Sequence, residues 1–400
     1  MGRIRKKAGA VICFMMMCLF VMHSAYAGDN AVRFGEDGKL KILIVADTQD
    51  TEKPQAAMLK LLNASLDSAD PDLVIFLGDM IHGPSVAGMD NVRKAIDAIV
   101  SPVAERQIPF APVFGNHDEE CGISNEEQLK IYQSYPGCLT TDAEDLPGCG
   151  NTCILIENPV HPESPVALWL MDSGNKAEDG SYDCVREEQN EWMLRKYEQL
   201  KAGYGEPVSY VFQHIPVPQV NNFLKKVPFG TAGAVTHVGG DVFSWYLPDT
   251  QNIREGHFGE APCPSGRDSG EFDAWKRMNV RAAFFGHDHT NDYAVTFEGI
   301  DLIATAGAGF YHYGRGDEHG TRIVTIDAAS PADYRTRMLY YKDIVPEPLP
   351  GLLVPTFGVL LQKYLLIGAA GLIALIILLV WLIRHIRKNR RIKREKQGCK

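Results

Sequence analysis

Short apolar runs alternate with amphipathic segments along most of this chain. Runs rich in Val, Ile, Leu and Phe are typical of buried strands, and they lie at 41–46, 72–77, 109–114, 153–157, 166–171, 208–212, 280–285, 301–306 and 321–326. Apolar residues recur at helical spacing in 54–69, 91–106 and 186–200. This alternation predicts an α/β fold around a largely buried sheet.

The two ends of the chain have a different pattern. Residues 1–27 begin with basic residues, continue with an apolar stretch and end in Ala25, Tyr26 and Ala27, which predicts a cleaved secretory signal peptide. An uncleaved N-terminal anchor is the alternative.

Near the other end, the 19 residues from Leu365 to Ile383 carry no charge. That length predicts a transmembrane helix over 364–383, although a buried helix is the alternative. A proline-rich linker, 344–363, precedes it, and a basic tail, 384–400, follows it. Because basic tails stay in the cytoplasm, we expect the domain 28–343 to lie in the periplasm, a lumen or the extracellular space.

The net charge of the body of the chain, residues 28–383, argues against one class of partner. Without the signal and the tail, 27 Lys and Arg face 49 Asp and Glu, a net charge of about −22. Such a surface argues against nucleic-acid binding.

The cysteines of the body are Cys121, Cys138, Cys149, Cys153, Cys184 and Cys263. In an oxidising compartment this even number predicts up to three disulfides. A zinc knuckle is disfavoured, because no second pair matches the spacing of Cys149 and Cys153.

Polar side chains follow five of the predicted strands. They are Asp47, Gln49, Asp79, His82, Asn116, His117, Asp118, His214, His287, Asp288 and His289. A lone histidine after a strand is more often structural, but the carboxyl ends of strands in α/β sheets form the ligand crevice. Mixed nitrogen and oxygen ligands suit Zn, Mn or Fe. The sequence therefore predicts a metal site, and a shared carboxylate suits two metals.

The segment "GHDH", residues 286–289, indicates how two histidines could serve two metals. In an extended segment, side chains alternate with a period of two. We therefore expect His287 and His289 on one side and Asp288 pointing away.

The blocks "ADTQ", "GDMIH", "GNHD", "QH" and "GHDH" occur in that order over about residues 40–330. This series resembles the five motif blocks of the calcineurin-like metallophosphoesterases. The segments "LMDSGN", "FQHIPVP", "FFGHDHTNDY" and "GAGFYHYGR" are similar to the purple-acid-phosphatase-like branch of that superfamily.

The resemblance implies a four-layer α/β/β/α sandwich that hydrolyses phosphomonoesters with a hydroxide bridging two metal ions (Mn, Fe or Zn). It implies that the first metal is bound by Asp47, Asp79, His289 and Gln49, and the second by Asp79, Asn116, His214 and His287. His117 would stabilise the phosphoryl oxygens and protonate the leaving group, and Asp118 would orient His117.

Two positions depart from the family pattern. Gln49 stands where the first block often has His, so its amide oxygen either binds metal or hydrogen-bonds a metal-bound water. His82 stands where purple acid phosphatases have an iron-binding Tyr, so we expect no purple colour. His82 is then a substrate contact or a loop histidine.

Several residues and functions stay open on sequence alone. Tyr311, His312, Tyr313 and Arg315 either border the substrate pocket or serve packing and surface roles, while His237, His257 and His319 are expected at the surface. The alternatives to a phosphomonoesterase are a phosphodiesterase or nucleotide pyrophosphatase, and a non-catalytic phosphate-binding scaffold.

Overall fold

Each predicted strand forms in the computed structural model, which describes residues 32–143, 145–238, 243–349, 368 and 371–385. The strands are β1 (Lys39–Val45), β2 (Leu73–Leu77), β3 (Phe110–Val113), β4 (Thr152–Ile156), β5 (Val166–Met171), β6 (Val208–Gln213), β7 (Leu224–Val227), β8 (Val235–Thr236), β9 (Trp245–Pro248), β10 (Ile253–Glu255), β11 (Val280–Phe285), β12 (Ala294–Phe297), β13 (Ile300–Ala304), β14 (Gly320–Asp327) and β15 (Ser330–Tyr340). The helices are α1 (Ala56–Ala69), α2 (Met89–Glu105), α3 (Asn125–Tyr132), α4 (Glu187–Tyr204), α5 (Glu271–Arg277) and α6 (Tyr341–Ile344).

The strands form three sheets. A five-stranded sheet has the order β15-β14-β1-β2-β3, and a seven-stranded sheet has the order β10-β12-β13-β11-β6-β5-β4. In the first, β1, β2 and β3 are parallel, and Ile42 of β1 lies opposite Leu73 of β2. In the second, β5, β6, β11 and β13 are parallel. A small antiparallel sheet has the order β7-β9-β8.

The apolar core has one part between the two large sheets and further parts on their outer faces. Ile42 and Ile44 of β1 share one apolar cluster with Phe212 of β6 and Phe284 of β11, and the last two rings stack at 5.1 Å. Because side chains alternate along a strand, the next residue of β11, Phe285, belongs to a second cluster with α4 and α5. On the other side, α1 contacts β1 and β14. The predicted α/β class is confirmed.

The structure contradicts the predicted disulfides. All six cysteines of the body are free thiols. The sulfur of Cys121 lies 3.2 Å from the carbonyl oxygen of Asp118, and that of Cys263 lies 3.3 Å from Nδ1 of His237. Burial raises the pKa of Cys153 to about 12, so that this thiol stays protonated.

The predicted segments at the two ends are only partly described. The predicted signal peptide, residues 1–27, lies outside the described residues. The chain divides into two compact units between Pro348 and Leu349, and residues 371–385 of the second unit are helical. Within the described residues, no helix has both the length and the apolar character needed to cross a membrane. The extracytoplasmic location and the membrane anchor stay predictions.

A buried glutamate should make the stability of the fold depend on pH. Glu271 opens α5 and is 4% exposed, and burial raises its pKa from 4.5 to about 8. The folded chain therefore keeps a proton that the unfolded chain loses above about pH 4.5. The stabilisation is complete below that pH and is lost as the pH rises towards 8.

We expect Glu271→Gln to remove this decline, because the amide stays neutral. The variant should be closest to wild type in stability at pH 4, and at pH 8 its unfolding free energy should exceed that of wild type by an amount on the order of 3 kcal/mol. Thermal unfolding followed by circular dichroism at both pH values measures this. The exposed Glu188→Gln serves as control and should follow wild type. Equal pH trends for Glu271→Gln and wild type would contradict the prediction.

Candidate metal centre

The carboxyl ends of parallel strands bring the candidate residues together. Asp47 and Asp79 follow β1 and β2, Asn116 follows β3, and His214 and His287 follow β6 and β11. Asp47, Asp79, Asn116 and His214 are at most 1% exposed, and His287 is 8% exposed. The two facing sheets therefore deliver their polar strand ends to one buried place.

Four of the candidate metal ligands have an unusual backbone conformation. Asp47, Gln49, Asp79 and His287 have φ values of 51°, 34°, 53° and 73°. Residues other than glycine rarely adopt positive φ, and such strain clusters at functional sites. The segment 286–289 was expected to be extended, but the backbone N–H of Asp288 donates to the carbonyl oxygen of Gly286. The segment 286–289 is therefore turned rather than extended.

The carboxylate of Asp79 lies at the middle of the cluster. Its Oδ1 accepts the backbone N–H of His117 at 2.7 Å. Its Oδ2 lies 3.0 Å from Nε2 of His214 and accepts Nε2 of Gln49 at 3.2 Å. A Cβ at Gly115 would lie 2.3 Å from Oδ1, so glycine is required for the close approach of that loop. Asp79 is thus shared by several candidate ligands.

Two histidines present the nitrogen that a metal needs. Nδ1 of His214 lies 2.9 Å from the carbonyl oxygen of Leu77, and Nδ1 of His289 lies 3.0 Å from that of Tyr313. Because a carbonyl only accepts, each Nδ1 carries the hydrogen, and Nε2 is left for a metal. The Nε2 of His289 lies 3.4 Å from Oδ1 of Asp47.

The site favours positive charge. Burial lowers the pKa of His214, but the carboxylates of Asp79 and Asp47 outweigh it and raise the pKa to about 10. Burial also raises the pKa of Asp79, yet His214 and His117 hold it below its usual range. A cation between these groups would replace that proton.

His287 completes a set of three possible ligands. One ligand atom each of Asp79, His214 and His287 lies within 4.8 Å of the others. The backbone N–H of His287 donates to Asp47 Oδ2 at 3.0 Å. The ring of Tyr182 meets that of His287 edge-on at 4.3 Å. The backbone and the ring of His287 are therefore each fixed by a separate contact.

Unpartnered buried atoms test whether metals fit. Oε1 of Gln49 and Oδ1 of Asn116 are buried and make no hydrogen bond to any described residue. Burying a polar atom without a partner costs free energy, and a bound metal would remove that cost. Carboxylate, amide and imidazole donors together suit Zn, Mn or Fe. The residues present therefore fit metal ions.

The structure changes the role of Asp118. Its carboxylate accepts the backbone N–H groups of Asp79 and Met80 at 2.9 Å each and of Gly115 at 2.8 Å. The Asp118 carboxylate thus joins the loops after β2 and β3. The resemblance implied that it orients His117, but it does not. Instead, Nδ1 of His117 lies 2.6 Å from Oε2 of Glu120.

Glu120 reaches His117 because both lie on one tight turn. The residues Asp118–Cys121 form a 3-10 helix whose N-cap is His117. Residues three apart share a face of such a helix, so this spacing was the signal for the pair in the sequence. The His117 side chain is 32% exposed, in contrast to the buried candidate ligands.

A family model decides the identity of this arrangement. The model of the calcineurin-like phosphoesterases matches residues 40–291. The chain belongs to the calcineurin-like phosphoesterase family. The matched region contains all the candidate ligands: Asp47, Gln49, Asp79, Asn116, His214, His287 and His289.

Curated relatives of this chain include proteins named as purple acid phosphatases and as a phosphatase. It is 27% identical to "Probable inactive purple acid phosphatase 14" of Arabidopsis thaliana over 345 residues, which cover 76% of this chain and 79% of that protein. It is 28% identical to "Phosphatase DCR2" of Saccharomyces cerevisiae over 293 residues, which cover 67% of this chain and 47% of that protein. A solved dimetal phosphatase from Danio rerio matches 76% of this chain and 99% of that chain, with 14% identity and a TM-score of 0.46.

The histidines that were expected at the surface have different outcomes. His319 was expected at the surface but is 2% exposed, and its Nδ1 lies 3.0 Å from the carbonyl oxygen of Gly307. His257 is half-exposed and pairs with Asp292 at 3.1 Å. Tyr313 lies in the loop after β13, and its ring stacks on that of His289 at 4.2 Å.

Proposed function

We propose that this phosphoesterase hydrolyses phosphomonoesters with two metal ions at the Asp79 cluster. The observation that carries the proposal is the juxtaposition of buried ligand atoms with a half-exposed imidazole. Asp79, His214 and His287 could hold a metal, and the backbone N–H of His117 donates to the same Asp79 carboxylate. A substrate phosphate at the cluster would therefore lie beside His117.

The chain offers enough ligands for two ions (Mn, Fe or Zn). The first would be held by Asp47, Gln49, Asp79 and His289, and the second by Asp79, Asn116, His214 and His287. When bound, such a pair activates water and offsets the charge of the phosphoryl oxygens. Gln49 already reaches Asp79 through Nε2. Exchanging its amide nitrogen and oxygen would turn Oε1 towards the cluster.

His117 is the proposed general acid. Its Nδ1 faces the Glu120 carboxylate, which leaves Nε2 to donate a proton to the leaving oxygen. Because the imidazole is 32% exposed, a substrate can reach it. Glu120 would fix the orientation of the ring.

Names alone do not establish turnover in this chain. Two further Arabidopsis relatives are also named probable inactive purple acid phosphatases. The proposal therefore rests on the residues of this chain, which include both His117 and its carboxylate partner Glu120.

Metal removal and return tests the proposal. The full chain is stripped with a chelator and given Mn, Zn or Fe, and p-nitrophenyl phosphate and bis-p-nitrophenyl phosphate are then assayed. We expect no turnover without metal and restored monoester hydrolysis with at least one metal, because the metals activate the water.

The other outcomes lead to different conclusions. Hydrolysis of the diester alone would favour the phosphodiesterase alternative. Two bound metals by elemental analysis without turnover of either ester would favour a phosphate-binding scaffold. Equal turnover in stripped and reloaded protein would contradict the metal-dependent mechanism.

A further inference from the structure

Three rings that the proposed mechanism does not use lie beside the metal cluster. We call His82, Tyr311 and His312 the ring cluster. The ring centroid of His82 lies 5.0 Å from that of Tyr311 and 5.6 Å from that of His312. The ring of His312 in turn lies 5.3 Å from that of His289, a candidate metal ligand. The ring cluster is therefore one ring away from the reaction site.

One nitrogen of each imidazole in the ring cluster has no hydrogen-bond partner among the described residues. Nδ1 of His82 and Nδ1 of His312 are buried and make no hydrogen bond within the described part of the chain. A structural histidine would normally use such an atom. Tyr311, by contrast, is 39% exposed, and its hydroxyl lies 3.2 Å from that of Ser85. That contact holds an aromatic ring at the surface.

The ring cluster offers planar rings beside the candidate metal ligand His289. Planar rings suit edge-to-face or offset-stacked contact with another planar ring. An aromatic group on a bound phosphoester would therefore find packing partners there.

We propose that the ring cluster binds the leaving group of the substrate and favours phosphomonoesters whose ester oxygen is bonded directly to an aromatic ring. This rests on the proposed function, since the phosphate must sit at the metal cluster. Because the ring of His312 lies against that of His289, the ring cluster borders the place where the phosphate would bind. The group bonded to the ester oxygen would then contact the ring cluster. A nucleoside or another alcohol would place a non-planar carbon chain there instead.

Binding of two phosphonates tests this inference without requiring turnover. Phenylphosphonate and methylphosphonate share the phosphoryl oxygens and lack an ester bond to cleave. Titration calorimetry on the metal-loaded full chain gives Kd for each. We expect phenylphosphonate to bind on the order of tenfold more tightly, because a ring–ring contact is gained.

Variants assign that preference to the ring cluster. Tyr311→Ala should reduce the preference to about twofold or less, because the exposed ring is removed and the fold is kept. Tyr204→Ala is the matched control: this tyrosine is 38% exposed, at the end of α4, and its loss should leave the preference unchanged.

The inference and the proposed function can fail separately. Equal Kd values for the two phosphonates in wild type, or an unchanged preference in Tyr311→Ala and in His82→Ala, would overturn the ring cluster as a subsite. A preference that Tyr311→Ala removes, in a protein that hydrolyses no monoester, would uphold the subsite and reject the phosphatase. Binding of neither phosphonate to protein with two metals would overturn both.

Discussion

Asp79→Asn should remove metal binding and reduce kcat/KM by at least about 10³-fold, or about 4 kcal/mol. Asp79 is 1% exposed, and its Oδ2 lies 3.0 Å from His214 Nε2. Asparagine keeps the shape of the side chain, but it has one oxygen instead of two and carries no negative charge. Neither ion would then have its shared ligand, and the charge that offsets two cations would be lost.

Elemental analysis beside the phosphomonoester assay measures this loss. Asp288→Asn is the matched control, because it makes the same chemical change in a buried residue of the neighbouring loop. Asp288 Oδ1 accepts the backbone N–H of Cys263 at 3.0 Å, and burial and Glu260 raise its pKa well above the usual range. Asparagine keeps an oxygen that can accept the same backbone N–H, so the variant should keep its metals. Full metal content in Asp79→Asn would show that Asp79 is not the shared ligand.

Much of the large-sheet architecture could be predicted because burial on both faces leaves a clear pattern. The runs at 41–46 and 208–212 are apolar except for Lys41 and Ser209, as is typical of strands buried between two layers. The polar residues that follow them mark the strand ends, so Asp47 and His214 could be placed at one edge. These features depend only on the local sequence and the sheet rule.

The small sheet was not predicted, since its strands are only partly buried. Residues 224–227 and 245–248 are intermediate in burial or exposed. The apolar stretch 245–247 is only three residues long, which is too short to predict a strand. Helix α3 was also missed, although Ser124 and Glu127 form a capping box at its start. A capping box is a sequence signal, and it was present in "SNEE".

Hydrogen-bond partners were the least predictable feature. Asp118 is adjacent to His117 in sequence, yet its carboxylate turns to the N–H groups of Asp79 and Met80. Those donors come from another strand's loop, and only the packing of β2 beside β3 brings them near. The same holds for His319, whose burial depends on the carbonyl of Gly307. Tertiary contacts decide such roles, and sequence distance does not.

The pair His117 and Glu120 should control how turnover depends on the leaving group. His117→Asn should lower kcat for phenyl phosphate by about 10²–10⁴-fold, because phenolate must then leave without a proton. The loss should be smaller for p-nitrophenyl phosphate, whose leaving group is more stable as an anion. Both assays use metal-loaded protein, with metal content measured alongside.

Glu120→Gln should show the same bias with a smaller loss, about 10-fold for phenyl phosphate, since it acts through the imidazole. Its Oε2 lies 2.6 Å from His117 Nδ1, whereas the neighbouring Glu119 accepts the backbone N–H of Asn125. Glu119→Gln is therefore the matched control on the same turn and should behave as wild type. Equal losses for both esters, or a loss of metal from Glu120→Gln, would mean that this carboxylate supports the fold of the loop. A bias towards the poorer leaving group with unchanged metal content would identify Glu120 as the residue that positions the acid.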